Sequence, residues 1–239
     1  MKRLLIFIML VIDMISDFND ELTLNEPTPS IDKGTINKKL ISFIEKILLV
    51  FQNEYKGSVS INEEVLTQNF VKILDFYSKK LPFFFQQETI QMPSDGVRRK
   101  VDIGVFFYYK DDDPFFTIEA KRLPTPKGRE REYVIGANKK KSGGIERFKL
   151  NLHGINLSQS AIIGYVQSDN FKYWFKKINE WINELIVNPG DSELEWTKDD
   201  LLNNDCGFRL NEYAKFNSNS NKVNNTRINI LHYFVNLID

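Results

Sequence analysis

Three side chains in the middle of the chain have the types and spacing for chemistry. Asp102 stands in Lys100-Val101-Asp102-Ile103-Gly104-Val105, and Glu119 and Lys121 stand in Thr117-Ile118-Glu119-Ala120-Lys121. A charge inside a largely apolar strand is costly unless it is paired or binds a metal. Glu119 and Lys121 are two residues apart, so they share one face of a strand. Asp102 must reach that face from the strand before. A four-residue turn over Asp111 to Pro114, with Lys110 opposite Phe115, sets Gly104 opposite Lys121 and leaves Asp102 on the same face one step beyond. A five-residue turn without a bulge sends Asp102 to the other face. Two carboxylates from neighbouring strands can hold Mg²⁺ through oxygen, leaving positions for water and a phosphate. Such an ion lowers the pKa of its water, and a lysine beside it steadies the nucleophile or the developing charge. The competing reading is a buried ion pair that holds the sheet together. Two carboxylates and one lysine on one face are a poor device for that purpose. Removing Asp102 or Glu119 is therefore expected to spare the fold.

The elements that must carry these residues follow from periodicity. Leu40, Ile41, Ile44, Ile47, Leu48 and Phe51 have helical spacing over 37–53. Ser60-Ile61-Asn62-Glu63 has the form of a capping box, opening a helix to about Lys80 with an inward stripe of Leu66, Phe70, Ile73, Leu74 and Tyr77. Strands are expected over Phe83 to Met92, Arg98 to Tyr109 and Phe115 to Arg122, with turns at Pro93-Ser94-Asp95-Gly96 and Lys110 to Pro114. Pro124 to Ser142 reads as a basic loop. Gly143-Gly144 precedes a helix to about Leu152. Ser160 to Gln167 reads as a strand, and Phe171 to Val187 as an amphipathic helix with Trp174 and Trp181 in the core. Asn217 to Thr226, rich in Asn and Ser, reads as a flexible loop. Arg227 to Leu237 alternates as a strand does, with a helix as the alternative. The order is helix, three strands, helix, strand, helix, an α/β pattern led by hairpins.

This order, with Asp102 on one strand and Glu119-Ala120-Lys121 on the next, resembles the PD-(D/E)xK nuclease superfamily over roughly residues 60–187. The resemblance implies an α/β restriction-endonuclease-like core: a helix, a three-strand antiparallel meander, a helix and a fourth strand. It implies metal ligands at Asp102, Glu119 and the backbone carbonyl of Ala120, with Lys121 as the catalytic lysine. Val101 stands where the family often has a proline, at a position the family varies. The upstream helix often supplies one more acid in that superfamily. Glu63 and Glu64 are the candidates. Glu63 shares a face with Leu66 and Phe70 and is favoured, although acids in a first helical turn also suit the helix dipole. A second Glu-x-Lys, Glu54-Tyr55-Lys56, has no aspartate-bearing strand before it. The implied activity is Mg²⁺-dependent hydrolysis of nucleic acid, DNA first, with Mn²⁺ as a substitute ion. The family's phage-defence members suggest that setting. A catalytically inactive nucleic-acid-binding or assembly subunit on the same fold is the alternative.

The segment from Lys121 to Lys149 carries ten Lys/Arg against three acids, +7 in a chain whose formal net charge is zero. It leaves the Glu119 strand directly, so Lys139, Lys140, Lys141 and Arg147 are the candidates for phosphate-backbone contacts. Gly143-Gly144 ahead of a helix could let a phosphate approach backbone N–H groups. Gln167 is a weak candidate for contact with the site. His153 and His232 are far apart in sequence and suggest no pair, and Cys206 suggests no chemistry.

The 239 residues, 42% hydrophobic and 27% charged, suit one large domain or a core with extensions. A single cysteine excludes an intramolecular disulfide, and zero net charge excludes a uniformly basic coat. Residues 1–36 read as an apolar N-terminal segment and a linker, 37–187 as the nuclease-like core and 188–239 as a C-terminal extension. Leu4 to Ile12 follows Met1-Lys2-Arg3, but no small-x-small site follows it and the run is too short to span a bilayer. A packed or partner-binding helix is the favoured reading there, with a signal peptide or anchor as the alternative. A cytoplasmic location is expected. No sequence-reading module is visible, so a helicase or recognition subunit is an expected partner.

Overall fold

The computed structural model describes residues 33–93, 96–108, 113–138, 140–189, 194–203, 208–209 and 212–239. The apolar segment 1–18, most of the expected linker, Lys139 and Cys206 lie outside the described residues, as do parts of the two expected turns. The fold is mixed α/β, an open sheet of six long strands and a two-residue edge strand with helices on both faces.

Helix α1 runs over Lys33–Tyr55, so residues 33–36 belong to a helix where the sequence reads as linker. Its buried residues Leu40, Phe43, Ile44, Ile47, Leu48 and Phe51 recur at three- and four-residue intervals. Helix α2, Glu63–Ser78, buries Leu66, Phe70, Val71 and Leu74 against the same side of the sheet. Its N-cap is Asn62, whose side chain accepts from the Val65 N–H, rather than the Ser60 of the expected capping box. Residue 63 is consequently the first helical residue, at the end of α2 that meets the sheet.

Strands β1 (Phe83–Gln91), β2 (Arg99–Phe107) and β3 (Phe116–Leu123) form the antiparallel meander. Beyond β3 come helix α3 (Gly144–Lys149), strand β4 (Gln159–Val166) and helix α4 (Phe171–Val187). β4 lies parallel to β3, as a crossover connection requires. The 124–158 connection and α4 cover the second face, where Tyr133, Ile145, Phe148, Trp174, Ile178 and Trp181 form a separate apolar layer.

The C-terminal residues correct two expectations. After the two-residue strand β5 (Phe208–Arg209), β6 (Tyr213–Asn221) and β7 (Arg227–Asn236) complete the sheet in the order β1-β2-β3-β4-β7-β6-β5. β7 pairs parallel to β4 along its length, so it is part of the sheet interior rather than of an extension. The first half of the Asn/Ser run, 217–221, is strand, not loop. Phe216, Ser218 and Ser220 are buried, alternating with exposed Asn219 and Asn221. The inward hydroxyls have partners: Ser218 bonds His232 Nε2 at 2.9 Å, and Ser220 donates to Asp200 at 2.6 Å. A period-two pattern written in serine escapes a hydrophobicity reading. The turn itself is short, closed by the Lys222 N–H on the Thr226 carbonyl. Among the described residues no helix is long and apolar enough to cross a membrane.

Candidate active site

The β2–β3 ladder is short. Pairing holds at Ile103–Ile118, Gly104–Thr117 and Val105–Phe116 and is not continued past Ile118. The hairpin thus departs from the expected register, with Gly104 facing Thr117 rather than Lys121. The shift preserves parity and sets Asp102 across from Glu119, on its face. Past Ile118 the β2 edge of β3 is open, which leaves backbone groups of Ala120 and Arg122 without ladder partners. An unpaired N–H at a half-buried edge must find an acceptor. Two carboxylates fill that role. Asp102 Oδ2 accepts from the Ala120 N–H at 2.7 Å, and Glu63 Oε2 accepts from the Arg122 N–H at 2.9 Å. The open edge thereby draws an acid from β2 and an acid from the start of α2 to the two sides of the Glu-x-Lys strand. Glu63 rather than Glu64 makes this contact, as its helix face predicts.

Glu119 is fully buried on the α3 side of the sheet. Its Oε1 accepts from Lys121 Nζ at 2.8 Å and from Arg147 Nη1 at 2.7 Å, and its Oε2 lies 2.8 Å from His153 Nδ1. Lys121 Nζ also donates to the Ala120 carbonyl at 2.9 Å and lies 3.7 Å from Glu63 Oε1. The ammonium therefore sits among oxygens from Glu119, Ala120 and Glu63.

The charges perturb one another. Burial alone would raise the Glu119 carboxyl, but Lys121, His153 and Arg147 outweigh it and hold the group well below the usual carboxylate range. Burial works against the Lys121 ammonium, and Glu119, Glu63 and Asp102 outweigh it, so its pKa rises. Asp102 goes the other way. Burial, with the like charges of Glu119 and Glu63, pushes it up to about 7 against the opposing pull of Lys121 and the Ala120 N–H. Asp102 is the acid whose charge the cluster leaves least compensated.

The loop that carries His153 is built to hold it. The Leu152 and His153 N–H groups both donate to the Arg147 carbonyl. Gly154 takes a positive φ of 62°, and its N–H donates to the buried Gln91 side chain at 3.1 Å. A Cβ at Gly154 would come within 3.0 Å of Ser160 Oγ. Buried Lys222 donates to the carbonyls of Gly154 and Leu157 at 2.7 and 3.0 Å. Sequence reasoning missed His153, because its contact with Glu119 depends on how this loop folds back. The His-Gly pair signals a turn but not its target.

Other expectations are redirected. Gln167 does not touch the cluster; its amide donates to the carbonyls of Ser58 and Ile61 and pins the approach to α2. The N–H groups of Gly143 to Glu146 are taken by the Glu146 side chain and by the carbonyls of Glu132, Tyr133 and Val134, so no phosphate cradle stands there. Half of the ten cations of the basic segment are in ion pairs within the fold. Arg147 is on Glu119, Lys149 is buried on Asp200, Arg129 pairs with Glu132 and Arg131 with Glu184. Lys140 and Lys141 are exposed. The tolerance expected for loss of Glu119 sits poorly with its contacts. Truncating it would leave Lys121, Arg147 and His153 around one buried hole, so a loss of stability is expected instead.

Among the described residues no three His, Cys, Asp or Glu side chains converge as a ready-made metal centre. Mg²⁺ does not require one, because it keeps several waters and takes one or two carboxylates. Asp102, Glu119 and the Ala120 carbonyl form an all-oxygen set of that kind, and the resident Lys121 ammonium shows that a cation is favoured among these oxygens. The residues present thus suit a hard divalent cation. Comparison with protein-family models, with curated proteins and with solved structures gives no match to this chain.

Proposed function

We propose that this chain is a metal-dependent nuclease of the PD-(D/E)xK kind that hydrolyses phosphodiester bonds, with DNA as the first substrate to test. One observation carries the reading: the open β3 edge gathers Asp102, Glu63 and the Ala120 carbonyl beside Glu119, with Lys121 in their midst. The meander, the crossover to a parallel β4 and the flanking helices are consistent with a restriction-endonuclease-like core. Asp102, Glu119 and the Ala120 carbonyl would hold Mg²⁺ or Mn²⁺, which supplies an acidified water and neutralises phosphate charge. Lys121 bridges Glu119 and Glu63 and stands ready to donate to a phosphate oxygen. Glu63 fixes the edge of β3 and keeps an oxygen toward Lys121. Three carboxylates against Lys121 and Arg147 leave one net negative charge when all are ionised. A divalent cation together with one phosphodiester brings that count to zero, the balance required of a buried site. A role in phage defence, with a helicase or recognition subunit as partner, belongs to this proposal by analogy alone.

The test is incubation of the chain with supercoiled plasmid, single-stranded DNA and RNA, with and without Mg²⁺ or Mn²⁺. Cation-dependent cleavage of any of them that is lost in Glu119→Gln supports the reading. No cleavage and no Mn²⁺ binding removes it. One observation favours the inactive nucleic-acid-binding or assembly subunit: both Glu119 oxygens are already engaged by three side chains. That reading expects nucleic-acid binding indifferent to divalent cations.

A further inference from the structure

We infer that Arg147 is a displaceable counter-ion of Glu119, which passes to a substrate phosphate when a divalent cation enters the site, so that cation and nucleic acid bind cooperatively. The inference rests on the metal-dependent reading above and adds a coupling to it.

The three groups on Glu119 are not equivalent. Lys121 is two residues away on the same strand and is also fixed by the Ala120 carbonyl. The His153 side chain is 1% exposed in a loop clamped by Gln91 and Lys222. The Arg147 side chain is 26% exposed, while Glu119 beneath it has no exposure. Arg147 is the group of the three with a path to solvent. Its other side-chain contact is a 3.4 Å bond from Nε to the Lys141 carbonyl, at the limit of hydrogen bonding. The backbone around it is well held: its N–H donates to the Gly143 carbonyl, and its own carbonyl takes the N–H groups of Leu152 and His153. The side chain can therefore move without disturbing the loop that presents His153.

Charge gives the direction of movement. A divalent cation beside Glu119 adds two positive charges to an oxygen that already accepts from an ammonium and a guanidinium. Like charges a few ångströms apart in a buried site repel strongly. Lys121 and His153 are confined, so Arg147 yields. A guanidinium released at the mouth of such a site meets its best partner in a phosphate, which it binds through a planar fork. Lys140 and Lys141, exposed on the same segment, supply further positive charge nearby. The cation and the phosphodiester then favour one another through Arg147. Coupling of binding free energies is reciprocal, so each tightens the other by the same factor.

The experiment measures binding, not cleavage. Mn²⁺ affinity is read by electron paramagnetic resonance of the free ion. Affinity for a fluorescein-labelled DNA duplex is read by anisotropy with and without Ca²⁺. In the wild type, Ca²⁺ tightens duplex binding by about tenfold. In Arg147→Met, Mn²⁺ binds tighter than in the wild type by about tenfold without DNA, and the effect of Ca²⁺ on duplex affinity falls to less than about twofold. Should that variant fail to fold in a thermal melt, Arg147→Lys carries the test. Its shorter single-point donor holds Glu119 less well, and Mn²⁺ affinity still rises, by about threefold. Unchanged or weaker Mn²⁺ binding in the folded variant, with the Ca²⁺ effect retained, overturns the inference and leaves the nuclease reading standing. Absence of Ca²⁺ coupling in a wild type that binds Mn²⁺ also overturns it. A wild type that binds no Mn²⁺ at all removes both.

Discussion

Two buried charge clusters lie on the same side of the sheet, one around Glu119 and one around Asp200. Asp200 has one cation. Lys149 Nζ reaches both its oxygens at 2.8 and 2.9 Å, and Ser220 Oγ and the Thr197 N–H supply the remaining donors at 2.6 and 2.8 Å. The lysine also packs 4.9 Å over the Trp196 ring. Acid and base are matched, and the side-chain bonds tie α3 and β6 to the short helical turn at Lys198–Asp200, which the Thr197 N–H closes locally. The Glu119 cluster is unmatched. It holds three carboxylates, one of them Asp102 pushed up to about 7, against the two cations Lys121 and Arg147, all beside an open strand edge. The difference separates two uses of buried charge. A closed pair specifies packing and has nothing left to offer a ligand. An unbalanced cluster stores a demand for charge that a ligand can meet.

Breaking each cluster should therefore fail differently. The largest effect belongs to Glu119→Gln. If the cluster serves a metal, this change lowers cation-dependent cleavage by at least about 10³-fold and removes Mn²⁺ binding. A rate within tenfold of the wild type would erase the distinction between the two clusters. Lys149→Met comes next. It leaves Asp200 buried without its cation and costs about 3–5 kcal/mol in urea unfolding, while Mn²⁺ affinity stays at the wild-type value. A shift in Mn²⁺ affinity there would mean that the two clusters act as one.

Asp102→Asn has a smaller effect of opposite sign. In the fold the Asp102 pKa is raised from 3.8 to about 7, so the native state holds a proton that the unfolded chain has released. Its contribution to stability is present below pH ~4, is lost as pH rises toward ~7 and stays lost above. An asparagine can still accept from the Ala120 N–H and carries no charge. The variant should melt a few degrees higher than the wild type at pH 8 without divalent ions, and the gap should close toward pH 4. Equal melting temperatures at pH 8 would show that Asp102 is already compensated. The smallest effect is expected from the double change Lys140→Ala and Lys141→Ala. Duplex affinity should fall evenly across sequences, and the slope of log K against log salt should flatten by about one unit for each phosphate no longer neutralised. An unchanged slope would leave these lysines as plain surface charge.

Much of the site was legible because it is local. Glu119 and Lys121 share a face by strand alternation, and Asp102 and Glu63 were placed by parity and by helix phase. Helix α4 spans the expected Phe171–Val187, since its apolar stripe is a local signal; the structure adds the Asn170 cap. The misses have a common origin. The Asn/Ser strand, the burial of Lys149 and the bond from His153 to Glu119 each depend on partners at least 14 residues distant, at His232, Asp200 and Glu119. No composition or period encodes such a partner.

The sequence by itself determined which residue types stand at strand and helix phases that can meet: an acid on each of two strands, a lysine two residues on, and an acid opening a helix. Sterics and side-chain alternation fix those relations within a few residues. Only the tertiary structure decided that β2 leaves β3 after Ile118, that the open edge takes Asp102 and Glu63 as its acceptors, and that Arg147 rather than a loop lysine sits on Glu119. The reason is physical. A freed N–H and a buried carboxylate must each find a partner, and which partner is within reach is settled by the packing of the whole sheet and its helices.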